Sequence, residues 1–261
     1  MRRVIFNQKG GVGKSTITCN LAAISAASGN RTLVIDLDSQ GNSTRYLMGT
    51  DPNELQNTLA GFFKEILTFS FNNKGAAGYI HQTPFERLFL MPAHPDIEEQ
   101  QGKLESRYKM FKLKEALQAL DGFDHIYIDT PPALNFFTRS ALIAANACLI
   151  PFDCDDFSRQ ALYALMNNVQ EIQEDHNKNL KIEGIIVNQF QSRARLPNLL
   201  VKELINEGLP ILETFISPSI RIRESHQYAK PMIHFDPHHK LTKEYHALYQ
   251  LIAKSNPDIT T

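Results

Sequence analysis

A glycine-rich run near the start of the chain limits the possible folds more than any other feature. Its residues are Asn7-Gln8-Lys9-Gly10-Gly11-Val12-Gly13-Lys14-Ser15-Thr16. Residues 3–6 before the run, an arginine followed by three apolar residues, are typical of a short strand, and the Ala-rich residues 17–28 after it have apolar side chains at helical spacing. A strand, a glycine-rich turn and a helix in this order predict a phosphate-binding loop.

The residue types of the loop fit a nucleoside triphosphate bound together with Mg²⁺. Because glycine has no β-carbon, backbone N–H groups can approach an anion closely, and the following helix directs its positive end to the same place. Lys14 is expected to reach the β- and γ-phosphates, and the Ser15 hydroxyl is expected to bind Mg²⁺. The predicted phosphate cradle consists of Gly10, Gly11, Val12, Gly13, Lys14, Ser15 and Thr16.

Lys9 sets this loop apart from the usual pattern. In G-x-x-x-x-G-K-[ST] the first glycine would occupy position 8, where this chain has Gln8, and a second lysine follows it. A lone lysine in a loop is usually a solvated charge. Lys9, however, stands beside three glycines and Lys14. This position favours an electrostatic role for Lys9, as a second cation next to the bound triphosphate.

Length and composition are those of one globular domain. The 261 residues, 43% hydrophobic and 21% charged, predict a single α/β domain over residues 1–261. The formal charge of −1 excludes a globally basic protein, so contacts with nucleic acid would need a local basic patch. With neither a signal peptide nor an apolar run of the ~20 residues that a membrane span needs, we expect a cytosolic protein.

Apolar strands alternate with helical patterns along the chain. Strands are predicted at residues 32–36, 87–92, 126–129, 148–152, 184–188 and 211–216, and helices around 98–119, 137–145, 158–174, 196–207 and 241–254. This order predicts an α/β three-layer sandwich with a mostly parallel twisted sheet, in which ligands bind at the carboxyl ends of the strands. Residues 50–86 have no clear pattern, but their apolar cluster favours packing on the body over a separate interaction surface. The cluster is Phe62, Phe63, Ile66, Leu67, Phe69 and Phe71.

Three aspartates stand where predicted strands end. Asp129 follows an apolar strand, as a Walker B carboxylate does, and would hold the Mg²⁺ shell. Asp36 and Asp38 are two residues apart, so in an extended segment they point to the same side, one toward the metal region and the other toward an attacking water. A single such aspartate often caps a helix or a turn. Three of them around one phosphate loop favour a hydrolytic site.

These motifs resemble those of the ParA/MinD family of ATPases, whose Walker A loop is deviant in the same way. The family pattern D-x-D-P-Q-G-N appears as Asp36-Leu37-Asp38-Ser39-Gln40-Gly41-Asn42, with Ser39 in place of the usual proline. Residues 129–132, Asp-Thr-Pro-Pro, match the segment after Walker B, and residues 221–231 are similar to a later Arg-Leu-Ser-Glu-Ala-Pro-Ser signature before Gly-Lys-Pro. The similarity runs from residue 2 to residue 252, except for residues 60–86, and is greatest to small ParA-type proteins without an N-terminal helix-turn-helix domain.

The resemblance implies a P-loop NTPase fold with ATP and Mg²⁺ as cofactors, and a slow ATP hydrolase that DNA and a partner stimulate. It implies that Lys9 stabilises transferred charge across a homodimer, that Asp38 positions the attacking water and that Lys14 holds the phosphates. Asn188 would contact the adenine, and the metal-site residues would be Ser15, Asp36 and Asp129. Dimerisation would then depend on ATP.

Loops in the C-terminal half contain a modest surplus of positive charge. Residues 193–243 include eight basic and five acidic side chains. The basic residues in or beside loops, in regions that contact DNA in ParA proteins, are Arg193, Arg195, Arg221, Arg223 and Lys230. We therefore predict that the ATP dimer binds double-stranded DNA without sequence specificity, is associated with the nucleoid and positions a plasmid, a chromosome locus or another large cargo. A ParB-like or adaptor protein would stimulate hydrolysis.

A MinD-like, membrane-associated positioning ATPase is the alternative. It would need a basic amphipathic tail, whereas residues 252–261 are short, interrupted by Pro257 and contain one lysine. The apolar stripe of the preceding helix favours docking on the body. Iron–sulfur chemistry fits less well, because Cys19, Cys148 and Cys154 lack metal-ligand spacing.

Overall fold

One seven-stranded sheet organises the part of the chain that the computed structural model describes, residues 1–68, 73–154 and 159–254. The strands are β1 (Arg2–Ile5), β2 (Thr32–Asp36), β3 (His81–Gln82), β4 (Leu88–Met91), β5 (His125–Asp129), β6 (Ala147–Asp153) and β7 (Lys181–Asn188). Their order across the sheet is β3-β4-β2-β5-β1-β6-β7, and every pair except β3–β4 is parallel. The predicted mostly parallel sheet is confirmed.

Helices connect the strands and cover both faces of the sheet. They are α1 (Lys14–Ala27), α2 (Asn42–Met48), α3 (Leu59–Leu67), α4 (Ile97–Ser106), α5 (Lys112–Gln118), α6 (Phe136–Ala144), α7 (Arg159–Asp175), α8 (Arg195–Asn206), α9 (Ile220–Gln227), α10 (Met232–Phe235) and α11 (Lys240–Lys254). Short 3₁₀ turns lie at Pro52–Glu54, Ala76–Tyr79 and Lys109–Phe111. No helix among the described residues combines the length and the apolarity that crossing a membrane requires.

Two hydrophobic cores, one on each face of the sheet, make the fold a three-layer sandwich as predicted. On one face α1, α2 and α11 pack on the strands, with Ile24, Tyr46 and Leu248 fully buried. On the other face helices α3 to α8 pack, and Phe63 and Leu142 are among their buried side chains. Because both faces are covered, the central strands consist almost entirely of buried residues.

The strand register brings the predicted acids together. β1 lies between β5 and β6, so the loop that leaves β1 emerges beside the ends of both neighbours. Asp36, the last residue of β2, pairs in register with Asp129, the last residue of β5, and Ile5 of β1 also pairs with Asp129. The two carboxyl groups therefore lie side by side at the edge where the phosphate loop begins.

Two predicted elements differ from the structure. The helical pattern at 98–119 divides into α4 and α5, because Tyr108 has a φ of 54°, a left-handed conformation that ends a helix. The strand predicted at 211–216 is wrong. The segment makes one isolated bridge, between Ile185 and Ile211, and then hydrogen bonds from Leu212 N to the Ile185 carbonyl and from Ile216 N to the Val187 carbonyl. A regular ladder would join residue 214 to Val187, so the chain bulges away between these bonds.

The region without a clear sequence pattern packs on the body. Phe62 and Phe63 of α3 are buried in the core, as the packing interpretation predicted, whereas Phe69 and Phe71 lie outside the described residues. Sequence patterns missed β3, whose two residues pair antiparallel with β4 at the sheet edge. The C-terminal helix α11 docks through the predicted stripe of Leu241, Tyr245, Leu248 and Ile252, all of which are buried.

Candidate nucleotide-binding site

The phosphate loop lies between β1 and α1, and side chains at both of its ends fix its backbone. Asn7 Oδ1 accepts a hydrogen bond from Lys9 N at 2.9 Å, and Asn7 Nδ2 donates to the Pro151 carbonyl of β6 at 2.7 Å. On the far side, Asn188 Nδ2 donates to the Val12 carbonyl at 2.9 Å. Strands β6 and β7 therefore hold the loop in shape, β6 through the Pro151 carbonyl and β7 through the Asn188 side chain.

Gly13 ends the loop in a conformation that favours glycine. Its φ is 90°, and a β-carbon there would lie 2.4 Å from Asn188 Nδ2. No side chain caps α1, whose first residue is Lys14. The first backbone N–H groups of a helix have no partner within it, so this end of α1 is suited to an anion.

Lys14 lies within the loop rather than in solvent. Its side chain donates from Nζ to the Lys9 carbonyl at 2.9 Å, and the residue is 6% exposed. Burial lowers the pKa of Lys14, while the charges of Asp129 and Asp38 act in the opposite direction. A cation in this position is suited to bind phosphate, and the phosphate role predicted for Lys14 stays a prediction.

Asp129 has one carboxyl oxygen that the protein leaves without a partner. Its Oδ2 accepts a hydrogen bond from Ser43 Oγ at 2.7 Å, but its Oδ1 accepts none from the described residues although it is buried. Burial raises the pKa of Asp129 to about 6, and the nearby Ser15 and Ser43 hydroxyls oppose that rise. A buried acceptor without a partner is unfavourable. The residues present thus fit Mg²⁺, which prefers oxygen ligands, beside Ser15 and Asp129.

Both carboxyl oxygens of Asp36 accept hydrogen bonds from nearby residues. Thr44 donates to Asp36 Oδ2 from its backbone N and from its hydroxyl, both at 2.8 Å, and Asp38 N donates to Oδ1 at 3.3 Å. Burial, followed by the neighbouring Asp129, raises the pKa of Asp36 well above its usual range. Asp36 thereby holds the first turn of α2 in place, and the metal role predicted for it stays a prediction.

Asp38 is the carboxylate that faces the phosphate loop. It lines a cavity of about 310 Å³ together with loop residues that include Lys14 and Ser15, and we call this space the phosphate cavity. Asp38 Oδ1 accepts a hydrogen bond from Gln40 N at 3.0 Å. Burial raises the pKa of Asp38, and this hydrogen bond and the charge of Lys14 act in the opposite direction. The next residue, Ser39, donates its hydroxyl to Glu98 of α4, a contact that the proline usual at this position could not make.

A second cavity adjoins the phosphate cavity. It has a volume of about 500 Å³ and shares Gly11, Gly13 and Thr16 with its neighbour, so the two form one cleft. Its other walls are formed by the end of β7 and by the segment from Ile216 to Ile222, including Asn188, Gln189, Ile216, Ser217 and Ile222. Walls that combine polar groups with apolar side chains can hold a nucleobase, and we call this space the base cavity. Asn188 lines the base cavity while its amide nitrogen is bonded to the loop, and its contact with adenine stays a prediction.

His226 is a site residue that sequence patterns missed. It lines the phosphate cavity, and its Nε2 lies 3.0 Å from the Thr16 hydroxyl. Its ring stacks on Tyr46 of α2 at 3.8 Å between ring centroids. Burial lowers the pKa of His226 to about 4, so the imidazole is neutral at physiological pH. Residues 221–231 resemble a family signature, but that resemblance gives this histidine no role, because α9 reaches the loop only through the tertiary fold.

The five predicted DNA-binding residues have different surroundings. Arg193, Arg195, Arg223 and Lys230 are exposed, and among the described residues no acidic side chain forms an ion pair with them. Arg223 also borders the base cavity. Arg221 does not support the prediction, because its guanidinium pairs with Glu224 at 2.5 Å and with Asp236 at 2.9 Å.

Comparisons with known proteins cover nearly the whole chain. A family model described as an AAA domain matches residues 3–182, which include the phosphate loop and all three aspartates. The chain is 33% identical over 253 residues to the chromosome partitioning protein ParA of Myxococcus xanthus, covering 96% of this chain and 87% of that protein. It is 31% identical over 252 residues to the sporulation initiation inhibitor protein Soj of Bacillus subtilis, covering 95% and 96% respectively. Cobyrinic acid a,c-diamide synthase from Mycobacterium smegmatis, solved with a bound ATP analogue and magnesium, has a TM-score of 0.76 at 27% identity, covering 87% of this chain and 92% of that one.

Proposed function

The chain belongs to the ParA/Soj family of ATP-binding partitioning ATPases, and we propose that it is a switch that dimerises with ATP, binds DNA without sequence specificity and hydrolyses ATP slowly. In this role it would position a plasmid, a chromosome locus or another large cargo on the nucleoid. The observation that carries the proposal is that Lys14, Ser15 and Asp38 line one cavity beside the partnerless oxygen of Asp129. These are the groups that phosphoryl transfer to water requires.

The binding roles follow from the cleft. The N–H groups at the start of α1 and the Lys14 ammonium would hold the phosphates, and the base cavity would take the adenine. Ser15 and Asp129 would hold Mg²⁺, with Asp36 supporting them from behind. When bound, Mg²⁺ supplies positive charge that offsets charge on the phosphates.

Hydrolysis would depend on Asp38. Its carboxylate faces the phosphate cavity, where it would orient a water molecule and accept its proton. Burial raises the pKa of Asp38, which makes the carboxylate a better base. No arginine lines the phosphate cavity within the described residues. A site of this kind turns over slowly until further charge is supplied, and in this proposal Lys9 of a second copy supplies it.

Dimerisation would link nucleotide state to quaternary state. Lys9 is half-buried at the mouth of the loop, and its role across the dimer rests on the resemblance of the loop to deviant Walker A loops. Exposed apolar side chains are compatible with a covered surface: Ile220, which lines the base cavity, is 74% exposed, and Leu196 in the first turn of α8 is 78% exposed.

DNA binding would use the exposed basic residues that follow β7 and α9. Arg193, Arg195 and Lys230 have their charges directed to solvent rather than to acidic partners among the described residues, which suits contacts with a phosphate backbone. A ParB-like or adaptor protein would then stimulate hydrolysis and release the DNA. The docking of α11 on the body argues against its use as a membrane-binding helix.

Retention on duplex DNA of arbitrary sequence tests this function. The Asp38→Ala variant, which should bind ATP without hydrolysing it, is compared in Mg-ATP and in Mg-ADP, and lipid vesicles containing anionic phospholipid are run in parallel. We expect retention on DNA in ATP alone, decreasing as salt is raised. No retention in either nucleotide, or retention on vesicles alone, would refute DNA binding.

Charge reversal locates the surface. Arg193→Glu with Arg195→Glu, in the Asp38→Ala background, should reduce retention at least tenfold. The matched control is Lys178→Glu with Lys181→Glu, because both lysines are exposed but lie at or just before the first residue of β7, the end of the strand opposite to the cleft. The control pair should bind DNA as the parent does. Equal loss in both pairs would indicate a general charge effect and not a DNA surface.

A further inference from the structure

His226 joins three helices at the phosphate cavity. From α9 its Nε2 reaches the hydroxyl of Thr16 in α1 at 3.0 Å, and its ring stacks on Tyr46 of α2 with an angle of 11° between the planes. The hydroxyl of Tyr46 in turn lies 2.8 Å from Ser225 Oγ, the residue before His226. These contacts hold α9 against α1, the helix that follows the phosphate loop, and against α2, the helix that follows Asp38.

The hydrogen-bonding capacity of these groups restricts what happens when the cavity holds phosphate. A hydroxyl has one proton to donate, and a neutral imidazole has one donor and one acceptor nitrogen. Phosphate oxygens accept hydrogen bonds. Once the Thr16 hydroxyl donates to a phosphate, it can contact His226 only as an acceptor, so the proton between them must belong to His226 Nε2.

We propose that His226 is a positioning residue of the nucleotide site, which donates its Nε2 proton to Thr16 and so turns the Thr16 hydroxyl toward the phosphates, fixing α9 against the loop when nucleotide is bound. This inference rests on the proposed function, because it requires that the phosphate cavity bind nucleotide. His226 touches the loop and not the reacting atoms, so its effect is on binding and on the order of α9.

The consequence reaches the base cavity and the exposed basic residues. α9 contributes Ile222 and Arg223 to the wall of the base cavity, and Lys230 follows two residues after its C-cap. Any change in how firmly α9 is held against α1 therefore changes both the base cavity and one part of the surface to which we assign DNA binding. His226 thereby connects occupancy of the phosphate cavity to that surface.

Two substitutions separate the hydrogen bond from the ring stack. His226→Gln keeps an N–H donor that can reach Thr16 but loses the aromatic ring, and His226→Phe keeps a ring for Tyr46 but loses the donor. Mg-ADP is the probe, so that hydrolysis does not enter. We expect His226→Phe to weaken Mg-ADP binding five- to twentyfold and His226→Gln to weaken it less than threefold.

Hydrogen exchange at the amides of residues 220–227 gives a readout that affinity alone would not. In the wild-type protein and in His226→Gln, saturating Mg-ADP should slow exchange in α9 at least tenfold, and in His226→Phe at saturation it should not. Unchanged affinity in His226→Phe, or α9 protection equal to that of the wild type, overturns the proposal.

The tautomer can be read in the wild-type protein, which covers the case of a variant that does not fold. Nitrogen-15 chemical shifts of His226 in the Mg-ADP complex should show the Nε2–H tautomer, and the Nδ1–H tautomer would overturn the proposal. The proposed function fails in a different way: wild-type protein that is folded but does not bind Mg-ADP refutes nucleotide binding itself, and this inference with it.

Discussion

Gly13 lies so close to Asn188 that a β-carbon on residue 13 would be 2.4 Å from the Asn188 amide nitrogen. That nitrogen is also the donor that holds the Val12 carbonyl at 2.9 Å. One side chain from β7 thus both occupies the space above Gly13 and fixes the shape of the loop. The glycine is required here by its φ of 90° and by this contact together.

Gly13→Ala should destabilise the protein by roughly 2–4 kcal/mol and abolish Mg-ADP binding, since the new methyl group displaces Asn188 and the backbone is strained. The matched control is Gly10→Ala, whose β-carbon would meet Pro132 at an ordinary 4.0 Å. Thermal unfolding and calorimetric ADP titration measure both effects. Equal melting temperatures for the two variants would show that the Asn188 contact is not restrictive.

Mg²⁺-dependent nucleotide binding should weaken as the pH falls through the pKa of Asp129. Burial raises the pKa of this carboxyl to about 6, so below pH 6 it is largely protonated and cannot serve a cation. The ratio of ADP affinities with and without Mg²⁺ should therefore fall between pH 7.5 and pH 5.5. The Asp129→Asn variant serves as the control, because any pH dependence that it retains comes from protonation of ADP itself. Its ratio of ADP affinities with and without Mg²⁺ should be small at pH 7.5 and should change less than the wild-type ratio as the pH falls. Identical pH profiles in the two proteins would contradict a metal role for Asp129.

Ser43 tunes the same carboxyl group. Ser43→Ala removes the donor at 2.7 Å from Asp129 Oδ2, which should raise the pKa of Asp129 further and reduce stability by about 1–3 kcal/mol. The midpoint of the Mg²⁺ effect should move to higher pH. Ser140→Ala is the control, because the buried Ser140 hydroxyl has no hydrogen-bond partner among the described residues and its loss should cost little. The Ser43 prediction fails if both variants unfold at the wild-type urea concentration.

His125 should make the folded state sensitive to acid. Burial lowers its pKa to about 4, and its Nδ1 lies 2.7 Å from Ser25 Oγ. Between pH 6.5 and pH 4 the unfolded chain binds the proton more readily than the folded protein, so this contribution to stability is lost as pH falls through that window. The loss of folding free energy due to His125 is on the order of 1–2 kcal/mol once solvent screening is allowed for.

Comparison with His125→Gln isolates this effect. The raised pKa values of Asp36 and Asp129 act in the opposite sense, but equally in both proteins. Urea unfolding at pH 7.5 and pH 5 should show a larger loss of stability for the wild type than for the variant. A parallel loss in both would mean that His125 titrates normally in the folded state.

The sequence was informative where local pattern and chemistry coincide. The loop, the strands before Asp36 and Asp129, and the stripe of α11 were predicted because each depends on short-range spacing. In a parallel sheet the carboxyl ends of the strands share one edge, so acids at strand ends were expected near the loop, and the register of Asp36 with Asp129 agrees.

Features set by tertiary contacts were not predictable in this way. Ser43 and Thr44 bind Asp129 and Asp36 only because α2 folds back over the strand ends. Ile211 and Leu212 have a strand-like composition, but the bulge before Ile216 depends on how the segment meets β7. His226 stands where the family signature has proline, so the resemblance assigned it no role. The sequence places Arg221 among basic residues in or beside loops, and only the fold brings Asp236, fifteen residues away, within 2.9 Å of its guanidinium.

The most direct test of the switch is the molar mass of the Asp38→Ala protein, measured by light scattering in saturating Mg-ATP and in Mg-ADP. The proposed function predicts twice the 29.6 kDa of one chain in ATP and a single chain in ADP. Adding Lys9→Ala should leave a monomer in ATP while ADP binding remains within a few-fold, since Lys9 is assigned to the partner's nucleotide. A monomeric Asp38→Ala protein in ATP would contradict the ATP-dependent dimer. An equally stable dimer after the addition of Lys9→Ala would contradict the role of Lys9.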